Sequence, residues 1–465
     1  MIYWNPSHRL IVSLGMNKPR ILILGGGFAG VYCARELAKQ ARGAVDITLV
    51  SDENFFLFTP LLHEVAAAEL GLTDIVSPLR EVLPKQCCFF QGKVLRVDFD
   101  AKQVEISYGD NMEGRRTLEY DHIVMALGGE TNFHNTPGVA EHAQRMKTLA
   151  DAIALRNKLI ANLEKAQVDT DMELKKRRLT IVVCGGGFAG VETIGAINDF
   201  MRDASDAYKN VPASDIRVVL VHHEDRLLPE ISDKVGGYTA EQLKKRGVEI
   251  LFNSAVTKFD GETVTLKDGS TIPTDTLVWT AGTRPVTFND SSKELPKVKG
   301  AVEADEFLRL KDSDHIWVAG DCARVHDPSK AKAFYPPTAQ HALREGVHIG
   351  RNIARAIKGK PLERFAYKTR GQMASIGSRV AVAQVFGKPM VGFGAWLLWR
   401  AFYWSHIPDA HHRARVLFQW TLDLFFPPDL VCLDTVAATM PPPAKPDEVR
   451  VLSDSEQATQ PRKSA

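Results

Sequence analysis

The 465-residue chain has little cysteine: six residues, none in C-x2-C or C-x4-C spacing. That excludes a disulfide scaffold and argues against a zinc site or a redox-disulfide pair of local spacing. Cys33, Cys87, Cys88, Cys184, Cys322 and Cys432 read instead as buried or incidental thiols of a reducing compartment. Net charge is scarce as well, at +2, so nothing supports a nucleic-acid partner held by a basic surface. No stretch reaches 18 uninterrupted apolar residues, and no transmembrane helix is expected. Glycine (34) and proline (24) are near average, which excludes collagen-like sequence and global disorder. The one apolar patch near the start, Leu10–Leu14, is too brief for a signal-peptide core. Met16, directly before Asn-Lys-Pro-Arg, is the expected natural start. Residues 437–465 carry five prolines and no aromatics, and are expected to be a disordered tail.

What the chain does have is one long-range repeat. Ile21-Leu-Ile-Leu-Gly-Gly-Gly-Phe-Ala-Gly-Val31 returns as Ile181-Val-Val-Cys-Gly-Gly-Gly-Phe-Ala-Gly-Val191. An offset this long means two copies of a domain-sized unit, not a solenoid. In each copy four apolar residues form a buried strand, three glycines follow, and a helix-compatible run comes next (Val31–Gln40, Val191–Arg202). Gly25 and Gly185 allow the tight turn. Gly27 and Gly187 let a pyrophosphate approach the backbone, and Gly30 and Gly190 let helix and strand pack closely. The helix start, led into by Phe28-Ala29 or Phe188-Ala189 as cofactor contacts, then offers free N–H groups to phosphates.

A second strand should follow each helix and end at an adenosine ribose. In the first copy it is Val45–Val50, and Ser51 or Asp52 offers the hydroxyl an acceptor. In the second copy it is Ile216–Val221, and His222 stands where an acid is usual. His222, with Arg226 nearby, could meet a 2′-phosphate; alternatively His222 and His223 simply cap the strand on the surface. Tyr120–Gly128 and Asp275–Gly282 read as paired strands leaving each dinucleotide unit, and His315–Asp321 as a strand ending in Gly-Asp. This order inserts the second dinucleotide domain into a discontinuous first one. The fold class is α/β with two Rossmann-like domains and a C-terminal appendage. The expected boundaries are 16–150, 151–290, 291–385, 386–436 and 437–465.

Four segments carry a resemblance: Phe56-Leu-Phe-Thr-Pro-Leu-Leu62, Gly190-Val-Glu192, Ala319-Gly-Asp321 and Pro336-Pro-Thr-Ala-Gln-His-Ala-Leu-Arg-Glu-Gly346. Over about residues 20–435 the chain resembles two-dinucleotide flavoproteins, and within them the type II NADH dehydrogenases, single-subunit NADH:quinone oxidoreductases. The resemblance implies FAD in the discontinuous domain (16–150 and 291–385) and NADH in the inserted one. It implies hydride transfer to FAD and electron transfer to a quinone without proton pumping, and it calls for no metal. By position, Asp321 would bind the ribityl chain and Gly320 make room for it. Thr59 and Pro60 would line the isoalloxazine, and Ala339 and Gln340 would lie at its pyrimidine end near the quinone. Glu192 would lie beside nicotinamide and flavin. Val94, Ala126, Gly128 and Gly282 complete the implied cofactor contacts. The family's second glutamine of the last segment falls on Arg344 here, and His341 and Arg344 are expected to add positive charge. The same run is also a plain helix start capped by Thr338. The alternatives are another FAD oxidoreductase of this fold, NADPH-linked or of the sulfide:quinone kind, and a dinucleotide-binding redox sensor without turnover.

Four of the seven tryptophans (Trp396, Trp399, Trp404, Trp420) fall between residues 393 and 426. Trp396, Trp399 and Tyr403 share one helical face, and Val416, Trp420 and Leu424 another. Arg400, Arg413 and Arg415 interrupt them. Aromatics edged by cations suit a lipid headgroup boundary. We therefore expect two interfacial helices, broken near Ile407-Pro408, that rest the protein peripherally on the cytoplasmic face of the inner membrane. The alternative is a dimer interface or a subdomain packed on the FAD domain.

Overall fold

The computed structural model describes residues 18–286, 295, 297–330, 333–369 and 371–433. The expected start at Met16 and the tail 437–465 lie outside them.

The chain opens with β1 (Arg20–Leu24), α1 (Phe28–Ala41) and β2 (Asp46–Ser51), the first repeat unit. A short helix α2 (Leu62–Ala66) follows, then β3 (Cys87–Gln91) and β4 (His122–Met125). The second unit contains β5 (Gln144–Arg145), α3 (Leu149–Val168), β6 (Thr180–Cys184), α4 (Phe188–Ser205), β7 (Arg217–Val221), β8 (Val248–Leu251) and β9 (Thr276–Trp279). These strands form a parallel sheet in the order β5-β9-β6-β7-β8. The chain then returns: β10 (Ile316–Val318) pairs in parallel with β4 and completes a first sheet ordered β10-β4-β1-β2-β3. The second unit is thus inserted in the chain between strands of the first sheet.

Both sheets are fully buried at their centres. Ile21–Leu24 and Ile181–Val183 show no more than 2% exposure. Such apolar runs without alternation belong to parallel strands covered on both faces. Each repeat helix starts three residues earlier than the apolar pattern indicates, at Phe28 and Phe188, because the third glycine of GGG takes the N-cap. α3 begins with a capping box, Thr148 with Asp151.

After α5 (Ala339–Ile357) come three antiparallel strands, β11 (Gly371–Ser375), β12 (Ala381–Val385) and β13 (Lys388–Gly392). Two helices close the described chain, α6 (Phe393–His406) and α7 (Ala410–Leu422). The break falls at Ile407–Asp409, as expected. Ile407 is buried, and Asp409 caps α7 by accepting the His412 N–H at 2.8 Å.

The inward and outward faces of this pair differ from expectation. Trp396, Trp399, Val416 and Trp420 are buried against the body of the protein. The exposed face carries Phe393, Leu397, Leu417, Phe418, Phe425 and Phe426 instead. Indoles at helical spacing are the largest apolar surfaces available, and here they fill the seam with the core. A periodic stripe shows that a face is buried, but not against what.

Candidate functional site

The first glycine turn opens a long groove. Gly25 adopts φ +113°, and a Cβ there would collide with the Ala126 carbonyl; Gly185 repeats this at φ +118°. A Cβ on Gly27 or Gly187 would meet nothing within 4 Å, so a phosphate can come close there. Of the residues singled out in the sequence, Gly25, Gly27, Phe28, Ala29, Ser51, Asp52, Thr59, Val94, Ala126, Gly128, Gly320, Asp321 and Ala339 line this one groove. They come from seven separate stretches of chain, four of them at the ends of β1, β2, β4 and β10. The groove fits an extended dinucleotide: its glycine turn faces a helix N-terminus, and Ser51 and Asp52 lie at the end of β2.

Two further groups complete it. Lys147 Nζ lies 2.9 Å from Asp321 Oδ2 and lines the groove. Glu345, buried in α5, accepts the Gly320 N–H at 2.7 Å. Burial pushes the Glu345 carboxyl up to about 7. The sequence carries no local signal for either contact, because the lysine and aspartate are 174 residues apart.

A second, apolar cavity adjoins the groove and shares Phe28 and Ala339 with it. Pro60, Phe188, Glu192, Gln340, Met373 and Tyr403 stand on its walls. Glu192 sits near the start of α4, open to the cavity yet deep in the protein. Desolvation pushes its carboxyl up to about 8, against hydrogen bonds from Ser375 N–H (3.2 Å) and Trp399 Nε1–H (3.1 Å). Gln340 is held by donating to Tyr367 Oη at 2.6 Å. Thr338 caps α5 by accepting the His341 N–H at 3.4 Å, so the helix start faces the junction of groove and cavity.

His341 differs from expectation. It is buried beside Tyr335 and Tyr367, and desolvation lowers its pKa to about 4, so it adds no charge. Arg344, stacked over Tyr367 at 5.5 Å, brings the positive charge to this wall. Tyr403, expected on a lipid-facing stripe, stands instead on the cavity wall.

At the second glycine turn, Gly185, Gly187, Ala189 and Gly190 repeat the first geometry, and Gly282 lies beside His134. His222 is no surface cap. Its ring is buried, and Nδ1 accepts the Gly186 N–H at 3.0 Å. Burial lowers its pKa, so it is a neutral imidazole carrying its proton on Nε2. Gly30 and Gly190 stand in helix–strand packing outside both cavities. Cys322, next to Asp321, is buried, and desolvation raises its thiol to about 11. A thiol held protonated there is a poor nucleophile, which disfavours a sulfide-oxidising reading.

Two glycine turns, an inserted second sheet and a shared groove define a two-dinucleotide flavoprotein oxidoreductase. The pyridine nucleotide-disulphide oxidoreductase family matches residues 19–346, and the NDH2 C-terminal domain matches residues 369–427. The chain is 31% identical over 420 residues to the type II NADH:quinone oxidoreductase NdhA of Mycobacterium tuberculosis, covering 87% of this chain and 86% of that one. It is 31% identical over 445 residues to the mitochondrial internal alternative NAD(P)H-ubiquinone oxidoreductase A1 of Arabidopsis thaliana, covering 89% and 85%. The fold matches NDH2 of Plasmodium falciparum, solved with NADH, with TM-score 0.82 at 21% identity over 89% of this chain and all of that one. The chain belongs to the type II NADH:quinone oxidoreductase family.

Proposed function

We propose that the chain, an FAD- and NADH-dependent oxidoreductase, reduces its quinone in the apolar cavity, with Glu192 and Gln340 on the reacting wall. FAD held in the groove by Gly27, Asp321 and Lys147 would supply the redox chemistry that links NADH oxidation to two-electron quinone reduction. No proton pumping accompanies this. The observation that carries the proposal is the pair of walls, Phe28 and Ala339, common to the FAD groove and the cavity.

The chain's own groups then have distinct tasks. Gly27 and the start of α1 hold phosphates, and Asp321 with Lys147 fixes the middle of the groove. The start of α5 favours negative charge at the junction through its free N–H groups. Quinone reduction to quinol takes two electrons and two protons. The hydride accounts for two electrons and one proton, so one proton must enter from water. Glu192, protonated at neutral pH by its burial, donates to a quinone oxygen and is reprotonated from solvent. Stopped-flow spectroscopy tests this. Glu192→Gln should leave flavin reduction by NADH near its normal rate and slow reoxidation by a short-chain quinone at least tenfold. Equal slowing of both halves would refute the assignment.

We further infer that the outer face of α6 and α7 rests on a lipid surface. Its support is the exposed row Phe393, Leu397, Leu417, Phe418, Phe425 and Phe426. No helix among the described residues is long and apolar enough to cross a membrane. A peripheral place on the cytoplasmic face of the inner membrane suits an enzyme taking soluble NADH from one side and a lipid quinone from the other. Leu417→Glu with Phe418→Glu should abolish co-sedimentation with phospholipid vesicles. If the variant still pellets and instead changes from dimer to monomer in sedimentation velocity, the face is a homodimer contact.

A further inference from the structure

The buried tryptophans of α6 and α7 do more than fill space. Trp399 is fully buried and donates its indole N–H to Glu192 Oε1 at 3.1 Å. Trp420 on α7 donates in the same way to Glu64 Oε2 on α2 at 2.8 Å. The two indoles lie 6.4 Å apart, and the Arg400 guanidinium is stacked on Trp396 and Trp420 at 4.1 and 4.6 Å. So each terminal helix is tied by an indole–carboxylate bond to a different dinucleotide unit, Glu192 belonging to the inserted one and Glu64 to the other. The bond at Glu192 ends on the cavity wall.

We propose that Trp399 is a positioning residue for quinone reduction: its indole N–H fixes the orientation of the Glu192 carboxyl and its readiness to hold a proton. This rests on the reading of Glu192 as proton donor. The geometry is specific. Ser375 N–H and Trp399 Nε1–H share Oε1. Among the described residues Oε2 makes no hydrogen bond, which leaves it for the cavity. A carboxyl otherwise free to rotate is thereby given one face toward substrate.

Around Glu192 stand His63 and Glu64 of α2, Tyr403 and His406 of α6, and His341 and Arg344 of α5. Burial holds His63 and His341 neutral. Glu64 raises the Glu192 pKa, and the two N–H donors lower it. Removing a donor removes stabilisation of the charged form, so the proton is held more tightly. A hydrogen bond to a carboxylate is worth about one pH unit or somewhat more at such a site.

The test uses the full-length flavoenzyme with Trp399→Phe. Two quantities are followed between about pH 6 and about pH 10: the rate of quinone reduction, and the infrared C=O stretch of the Glu192 carboxylic acid, assigned by its loss in Glu192→Gln. The expected result is an alkaline limit of the rate displaced upward by about one pH unit, with the infrared titration displaced equally. Trp404→Phe, which removes an indole bond to the Arg413 carbonyl in the same helix pair, should leave both midpoints in place. An unmoved infrared midpoint in Trp399→Phe overturns the proposal, as does an equal displacement in Trp404→Phe. If the infrared midpoint moves and Glu192→Gln keeps the wild-type rate limit, the assignment of Glu192 fails, and with it Trp399's part in the reaction. Should Trp399→Phe not fold, β-(3-benzothienyl)alanine at 399 replaces the N–H by sulfur at nearly equal volume and gives the same readouts.

Discussion

Gly346→Ala should expel the flavin. Gly346 and Gly350, one turn apart on α5, let this helix press against α1. A Cβ at Gly346 would stand 2.9 Å from the carbonyl carbon and 3.0 Å from the Cα of Ala29, and nearer still to its oxygen. Carbon atoms separate comfortably at ~3.5 Å, so the helices must part by at least about 0.5 Å. Backbone cannot rotate aside as a side chain does, and overpacking of this kind costs about 1–3 kcal/mol. The position makes it specific. Ala29 is in the first turn of α1, it lines the cofactor groove, and its Cβ lies 3.6 Å from where a Cβ on Gly320 would be. Gly350→Ala is the control, since its Cβ would meet Cys33 O at 2.8 Å and Leu37 N at 2.9 Å, one turn farther from the groove. The assay is the flavin-to-protein absorbance ratio after purification, beside the melting temperature. Both variants should melt lower, and only Gly346→Ala should lose most of its flavin. A Gly346→Ala protein that keeps full flavin and its melting point would refute the packing argument.

Two other expectations follow from buried titratable groups. Glu345 is held at about 7, above its ordinary 4.5, so the native state keeps a proton that the unfolded chain releases. Its contribution to stability is present below about pH 4.5 and is lost as pH rises toward 7, by at most about 3 kcal/mol. Glu345→Gln should flatten the fall in melting temperature across that window; an unchanged slope would count against it. His222, neutral and bonded to Gly186 N–H, places no carboxylate where a 2′-phosphate would lie. The wild type should therefore use NADPH within about tenfold of NADH in kcat/KM, and His222→Glu should widen the gap more than tenfold through charge repulsion. Strong NADH preference in the wild type would sink this reading.

The two glycine turns were legible because their physics is local. A tight turn, a close phosphate approach and a helix start each need glycine at a fixed spacing, and Gly25, Gly27 and Gly30 repeat at Gly185, Gly187 and Gly190. The topology was legible for a related reason: Ile316–Val318 is an apolar run ending in Gly-Asp, too short to form a sheet alone, so it had to join an existing one. The contacts that tune the chemistry are of another kind. Lys147–Asp321, Glu345–Gly320, Trp399–Glu192 and Trp420–Glu64 join residues from different elements, three of the four pairs more than 170 positions apart. No periodicity encodes such a partner. The aromatic stripe shows the limit most plainly. Its spacing predicted two lipid-facing stripes, Trp396, Trp399 and Tyr403 on one and Val416, Trp420 and Leu424 on the other, and the indoles of both are buried in protein instead. The exposed leucines and phenylalanines lie on other flanks of the same helices and, for Phe425 and Phe426, just past the end of α7. An interfacial helix has two apolar demands, one toward lipid and one toward its own protein, and the larger rings went where hydrogen-bond acceptors awaited their N–H groups. Had Trp399 and Trp420 faced lipid, Glu64 would lose its indole donor, at a cost of about 1–3 kcal/mol, and Glu192 would keep only the Ser375 N–H.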